Sequence, residues 1–303
     1  MQLQEAVELF ASSSATLQEM QKCLSLFSGA PLSAPANSAL LHRLKASLKR
    51  LPGVELYLRR RYEKAFAELP QANLFRGIFA SFPDALHSAP PTKSLGYDHE
   101  APATMYRDLL SEVFPRDYPA LLWIAHLLSE TNSLFDFGGH IGVSYYSFQQ
   151  FIKFPMGLRW RVWDVPAVIQ QGNALAGEKQ ESRLSFTNEI SDADGFDIFY
   201  AGGSLQYSEA TLTQLLSKLR AKPKHLLIAK LPMTDAKACV TLQSIGTAFC
   251  PYRIFNRAEF MQELAQLGYA LVDQWITPEL CCEIPFHSDY HRIPYAGFYF
   301  RLA

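Results

Sequence analysis

The segment Leu134-Phe135-Asp136-Phe137-Gly138-Gly139-His140-Ile141-Gly142 carries the sharpest chemical signal in the chain. It reads as a buried strand that runs into a glycine turn and then into a helix starting near Ser144. Glycines suit such a turn because a larger side chain would keep the backbone away from a ligand at the carboxyl end of the strand. Trp160-Arg161-Val162-Trp163-Asp164 ends a second apolar run in a carboxylate 22 residues beyond Gly142. That is about where a nucleotide-binding fold presents an acid to the two ribose hydroxyls. The plainer alternatives are glycines kept for tight packing, and an aspartate that caps the turn at Val165-Pro166.

Two cofactor classes use such a geometry. The dinucleotide fingerprint G-x-G-x-x-G fails, because counting from Gly138 its later glycines fall on His140 and Val143. Adenosylmethionine sites place an acid before the glycines, and Asp136 supplies it. In the register D-x-G-x-G-x-G, Asp136, Gly138 and Gly142 fit, His140 replaces the middle glycine and Gly139 sits one place early. His140 then either touches the methionine end of the ligand or points outward.

A second cluster, Pro285-Phe286-His287-Ser288-Asp289-Tyr290-His291-Arg292, precedes the final apolar run. His291 and His287 are the candidate general bases for a hydroxyl acceptor, since an imidazole titrates near working pH, with Asp289 placed to orient one of them. Without a third, separated ligand the cluster is not expected to hold a metal. Tyr97, Tyr145, Tyr207 and Tyr252, with Tyr118, Tyr146 and Phe148, are the aromatic residues available to wall an acceptor, or else they are core.

The elements that must position these groups alternate. Leu134 to Phe137, Leu158 to Trp163, Phe196 to Ala201 and His225 to Leu231 read as short strands. Helix patterns over Tyr145 to Phe151, Val165 to Ala176 and Glu209 to Arg220 separate them. Alternation of this kind implies parallel pairing and an α/β sandwich. Tyr269 to Ile276 and Tyr295 to Leu302 follow each other without a helix and predict an antiparallel pair at one sheet edge. Residues 1–66 read as a helical cap, 67–119 as an irregular proline-rich connector wrapping the site, and 120–303 as the cofactor-binding domain.

The motifs Asn73-Leu74-Phe75-Arg76-Gly77, Gly96-Tyr97-Asp98, Asp136-Phe137-Gly138-Gly139, Asp164-Val165-Pro166 and Ser204-Leu205-Gln206-Tyr207 resemble a bacterial family of class I adenosylmethionine-dependent methyltransferases, over about residues 73 to 302. The resemblance implies a Rossmann-like sandwich: a mostly parallel seven-stranded sheet whose last strand is antiparallel, carrying an N-terminal helical cap. It implies S-adenosyl-L-methionine as cofactor. Asp136, Gly138, Gly139 and Gly142 would lie along the methionine and ribose, Asp164 would hold the ribose, and His140 and Val165 are counted with them as cofactor-binding residues. Asn188 and Glu189 would approach the adenine, and Gly202, Gly203 and Ser204 would close the pocket. Where the family tends to read I-D-R-T-P, this chain has Ala229-Lys230-Leu231-Pro232 without the acid. The activity expected is O-methylation of a small-molecule hydroxyl, such as a phenolic or aryl-polyene pigment precursor. Methylation of a surface-glycan sugar, a catalytically inactive cofactor-binding scaffold and a nucleotide-binding oxidoreductase are the rivals.

Composition sets the frame. The 303 residues are 49% hydrophobic and 19% charged, which excludes a disordered or fibrous chain. A net charge of -1 gives no general reason to expect nucleic acid as a partner. Five cysteines without a C-x-x-C pair, and no apolar run of spanning length, lead to the expectation of a cytoplasmic protein. Between Leu41 and Phe66 eight basic residues face two acids, Glu55 and Glu63. That stretch is either a solvated face or a site for an acidic carrier protein, anionic lipid or a second copy of the chain.

Overall fold

A computed structural model describes residues 52–70, 73–98 and 107–303. The chain divides into two compact units, residues 1–65 and 66–303. Of the first, the described part is the beginning of helix α1 (Pro52–Glu68), where Arg59 pairs with Glu55 one turn away at 2.8 Å. The expected helical pieces before residue 52, with Arg43, Lys45, Lys49 and Arg50, lie outside the described residues. So does Cys23. No helix among the described residues is long and apolar enough to cross a membrane.

In the second unit the strands, in chain order, are β1 (Leu74–Phe79), β2 (Ser94–Leu95), β3 (Ser133–Phe137), β4 (Arg159–Trp163), β5 (Leu184–Thr187), β6 (Ile198–Gly202) and β7 (His225–Thr234). They continue with β8 (Cys239–Ser244), β9 (Ala248–Asn256), β10 (Tyr269–Cys282) and β11 (Ile293–Leu302). The helices are α2 (Phe82–His87), α3 (Tyr118–Leu127), α4 (Val143–Phe148), α5 (Pro166–Glu178), α6 (Leu212–Ser217) and α7 (Arg257–Gln266).

Seven strands form the expected sheet, in the order β5-β4-β3-β6-β7-β11-β10. The first five run parallel, and β11 enters antiparallel between β7 and β10. This is the mostly parallel seven-stranded sheet, antiparallel at β11, that the sequence leads one to expect. The chain leaves β3 toward β4 and β5, then returns to β6 on the other side of β3. That reversal opens a crevice at the carboxyl ends of β3 and β6.

Alternation along β3 divides the core. Leu134 and Asp136 face a layer built with Ile124, Tyr145 and Val168, whereas Phe135 and Phe137 face a layer built with Leu216, Phe260 and Leu264. A carboxylate therefore sits in an otherwise apolar layer. Helix α5 holds its side of the sheet through Gly172, because a Cβ there would come within 2.3 Å of the Phe186 ring.

The connector is more regular than its prolines suggest. β1 pairs antiparallel with β8, and β8 with β9, to make a small second sheet. Residues 232 to 256 carry no strand in the sequence reading. β8 is buried along almost its whole length, so the period-2 signal vanishes, and Pro251 interrupts β9. Beyond β8, β9 meets β2 only at 248–249 and β7 only at 255–256, so the stretch around Pro251 is open on that side. β7 serves both sheets. It pairs with β6 as far as Ala229 and with β9 from Met233, and between them Lys230 adopts left-handed backbone with φ 56°.

Two glycines of α5 make a matched test of this packing. Gly172→Ala should destabilise the fold by about 1–3 kcal/mol, because overpacking against Phe186 outweighs the helix propensity of alanine. Gly177→Ala, in the same helix with open space around its Cα, should stabilise it by about 0.5–1 kcal/mol. Thermal or denaturant unfolding reads both. Equal effects would contradict the α5–β5 packing described.

Candidate functional site

The crevice at the ends of β3 and β6 is a cavity of about 630 Å³, within the range of about 300–1,000 Å³ usual for small-molecule sites. The glycine turn forms its floor. Gly138 has φ 69°, its N–H donates to the Trp163 carbonyl at 2.7 Å, and a Cβ there would strike the Ser204 side chain. Ser204 in turn donates through Oγ to the Phe137 carbonyl. At Gly139 a Cβ would come within 2.4 Å of the Asp136 carboxyl carbon. The glycine thus allows backbone to lie directly on a buried carboxylate.

His140 continues the turn in left-handed backbone, and its N–H donates to Asp164 Oδ2 at 2.9 Å. Asp164 Oδ1 accepts the Val165 N–H at 2.8 Å. Asp164 therefore braces the glycine turn against the start of α5, and each of its oxygens retains a further lone pair for a ligand. Trp163 stacks flat on Phe137 with centroids 4.4 Å apart, and its indole Nε1 is buried with no hydrogen-bond partner among the described residues.

Burial sets the electrostatics. Asp136 is pushed up to about 7 by desolvation, against a hydrogen bond from Trp160 Nε1 at 3.1 Å and with further upward pressure from Asp164. Asp164 is pushed up to about 6, again chiefly by burial. The carboxylates lining the cavity are Glu112, Asp117, Asp136 and Asp164, and the facing cations are Arg116 and Lys230. Lys230 Nζ is already bonded to Asp117 Oδ1 at 2.9 Å.

The second half of the cavity is aromatic and lies under the small sheet. Tyr97 meets Tyr207 edge-on at 5.2 Å, Tyr207 meets Tyr252 at 5.0 Å, and the Tyr252 and Tyr295 hydroxyls are 2.6 Å apart. The Gly96-Tyr97-Asp98 motif ties this wall down. Gly96 N–H donates to the Phe249 carbonyl at 2.9 Å, and Asp98 accepts the Ala167 N–H at the start of α5 at 3.0 Å.

Of the residues expected at the cofactor, Asp136, Gly138, Gly139, His140, Asp164, Val165, Gly202, Gly203 and Ser204 all line this cavity, and so do Tyr97, Tyr207 and Tyr252 of the aromatic set. Six expected residues stand elsewhere. Gly142, at φ 89°, caps α4 against Leu184. Tyr145 is fully buried against Trp160, because residues 143, 144, 147 and 148 present the cavity face of α4 and 145 lies on the other. Asn188 and Glu189 are exposed beyond β5, the outermost parallel strand, two places from the crevice. His287 and His291 do not line the cavity either. Tyr290 anchors their loop by burying its ring and donating to the Lys237 carbonyl at 2.8 Å, and His291 projects outward to Glu283 at 3.0 Å.

The sequence reading missed Asp117, Lys230, Gln206 and Gln243 as cavity residues. Gln206 and Lys230 lay in stretches it quoted, whereas Asp117 and Gln243 did not. Ala229, at the family's acidic position, is buried core and pairs with Gly202.

No protein-family model and no curated protein matches the sequence. Among solved structures, the CcbJ methyltransferase from Streptomyces caelestis aligns with a TM-score of 0.43 at 12% identity, over 65% of this chain and 96% of its own. Magnesium protoporphyrin IX methyltransferase from Synechocystis PCC 6803, solved with SAM bound, gives 0.42 at 11%, over 67% and 93%. The Burkholderia thailandensis 1,6-didemethyltoxoflavin-N1-methyltransferase gives 0.39 at 18%, over 71% and 94%.

The raised carboxyls fix a sign for pH. A folded-state carboxyl that titrates near 7 rather than near its ordinary 3.8 binds its proton more tightly folded than unfolded. Its contribution is fully present below about pH 4 and is lost as pH rises through about 7. Asp136→Asn, which keeps an acceptor for Trp160, should therefore gain stability on the wild type between pH 5 and pH 8. Melting curves of both proteins across that range check this, and parallel profiles would contradict the buried, high-titrating Asp136.

Proposed function

We propose that the chain is an S-adenosyl-L-methionine-dependent methyltransferase acting on a hydroxyl oxygen of an aromatic small molecule, such as a phenolic or aryl-polyene precursor. One observation carries the reading. A glycine turn lies directly on buried Asp136 and is braced by partly buried Asp164, in a cavity whose carboxylates outnumber its cations. Such a cavity suits a cationic ligand with ribose hydroxyls and repels a pyrophosphate, which argues against a dinucleotide. When bound, the cofactor supplies an electrophilic methyl group on a sulfonium.

The residues do the rest by placement. Asp136 faces positive charge, Asp164 accepts from hydroxyls, and Trp163 Nε1, without a partner among the described residues, offers a donor in the same lining. Tyr97, Tyr207 and Tyr252 orient a flat acceptor and keep water from it. Methyl transfer depends more on alignment and dryness than on acid–base chemistry. Neither His287 nor His291 lines the cavity, so neither imidazole takes the proton that an acceptor hydroxyl gives up on methylation.

Calorimetric titration tests this with three ligands. Adenosylmethionine and adenosylhomocysteine should bind and NAD should not. Asp164→Asn should weaken adenosylmethionine by about tenfold, roughly the loss of one charged hydrogen bond, without loss of fold. Binding of NAD alone, or unchanged affinity in the variant, would count against the assignment.

A further inference from the structure

Two carboxamides sit at the aromatic end of the cavity. Gln206 follows the end of β6 and Gln243 belongs to β8, and both are about 4% exposed. Gln206 Nε2 donates to the Gly203 carbonyl at 2.8 Å. Because that carbonyl can only accept, the amide nitrogen must face it and the oxygen Oε1 must face away. Gln243 Nε2 donates to Asn73 Oδ1 at 2.7 Å. Neither Gln206 Oε1 nor Gln243 Oε1 has a hydrogen-bond partner among the described residues.

A buried acceptor without a donor costs about 1–3 kcal/mol, and here two flank one tyrosine wall. Both side chains line the cavity, and the terminal torsion of glutamine is broad, so a modest turn can bring each oxygen to a ligand while the amide nitrogen keeps its acceptor. The surrounding carboxylates disfavour an anion, and the tyrosine edges favour a flat ring.

We propose that Gln206 and Gln243 are specificity residues for the acceptor: they select an uncharged aromatic compound that presents at least two O–H or N–H donors, one to each carboxamide oxygen. The proposal rests on the methyltransferase reading for the meaning of the ligand as an acceptor, but not for its binding. Polyhydroxylated aromatics meet the requirement, whereas their fully O-methylated forms do not. A fully methylated product would then lose both bonds and leave.

The test uses the isomeric dihydroxynaphthalenes and their dimethoxy counterparts as probes. Binding is measured by calorimetry on the full chain, with and without adenosylhomocysteine. At least one dihydroxy isomer should bind tenfold or more tightly than its dimethoxy partner. Gln206→Met and Gln243→Met should each reduce that preference about threefold to tenfold, leaving dimethoxy affinity and adenosylmethionine affinity unchanged. Their melting temperatures should change little, since each loses an unpaired buried oxygen together with one made hydrogen bond. Gln243→Glu keeps an acceptor oxygen and should retain the preference.

Failure of every dihydroxy isomer to bind, equal affinity for a matched pair, or an undiminished preference in both methionine variants would overturn the proposal. So would a lower melting temperature in the methionine variants together with a lost preference in Gln243→Glu, because the amides would then be structural. Donor-dependent binding without any adenosylmethionine binding would sustain the proposal and overturn the methyltransferase reading instead.

Discussion

The constraint on which this structure turns is a carboxylate held where water cannot reach it. Asp136 occupies the position after Phe135 on the central strand and so falls, by strand alternation, into the layer that also contains Leu134 and Trp160. Its desolvation is relieved by one indole N–H and by little else. Gly139 must remain glycine because the turn rests on that carboxyl group, and Asp164 must accept from His140 because the turn runs through left-handed backbone. The free protein thus stores an electrostatic cost that a cation would relieve. That links the local sequence of one strand to the kind of ligand the whole crevice can take.

The small sheet completes what the large one begins. β7 could end where β6 ends, yet it continues through the left-handed residue Lys230 and carries the chain into β8 and β9. The kink also brings the Lys230 ammonium to Asp117, which is anchored by accepting the Phe114 N–H at 3.0 Å. One ion pair therefore joins the turn before α3 to the strand that feeds the roof. Tyr252 from β9, Tyr207 after β6 and Tyr97 after β2 then meet over the same space. A polar, carboxylate-rich floor and an aromatic roof give the cavity two chemically distinct halves.

Much of this was legible because it is local. The strand–glycine turn–helix at 134–148, the acid at 164 and the alternation of apolar runs follow from short-range rules of period and backbone freedom. The antiparallel final pair could be read from two apolar runs with no helix between them. The aromatic half could not. β8 and β9 are buried on both faces and lose their alternation, Pro251 disguises β9, and the pairing of β1 with β8 joins residues some 165 apart. Gln243 and Asn73 come together only through that pairing. The histidines misled for the opposite reason: Asp289 and the two imidazoles are close in sequence, but Tyr290 between them is the residue the core claims.

A buried, partly protonated carboxyl that a cation would ionise has a direct thermodynamic signature. Adenosylmethionine should be titrated into the protein at pH 7 in two buffers of different ionisation enthalpy. Asp136 titrates near 7 in the free protein, so about half its population is protonated there, and an adjacent cation would drive that proton off. A protonated Asp136 predicts net release of about half a proton per site at pH 7, reduced in Asp136→Asn to the small share that Asp164, pushed up to about 6, still gives up. Binding with no proton release, or with proton uptake, would contradict it.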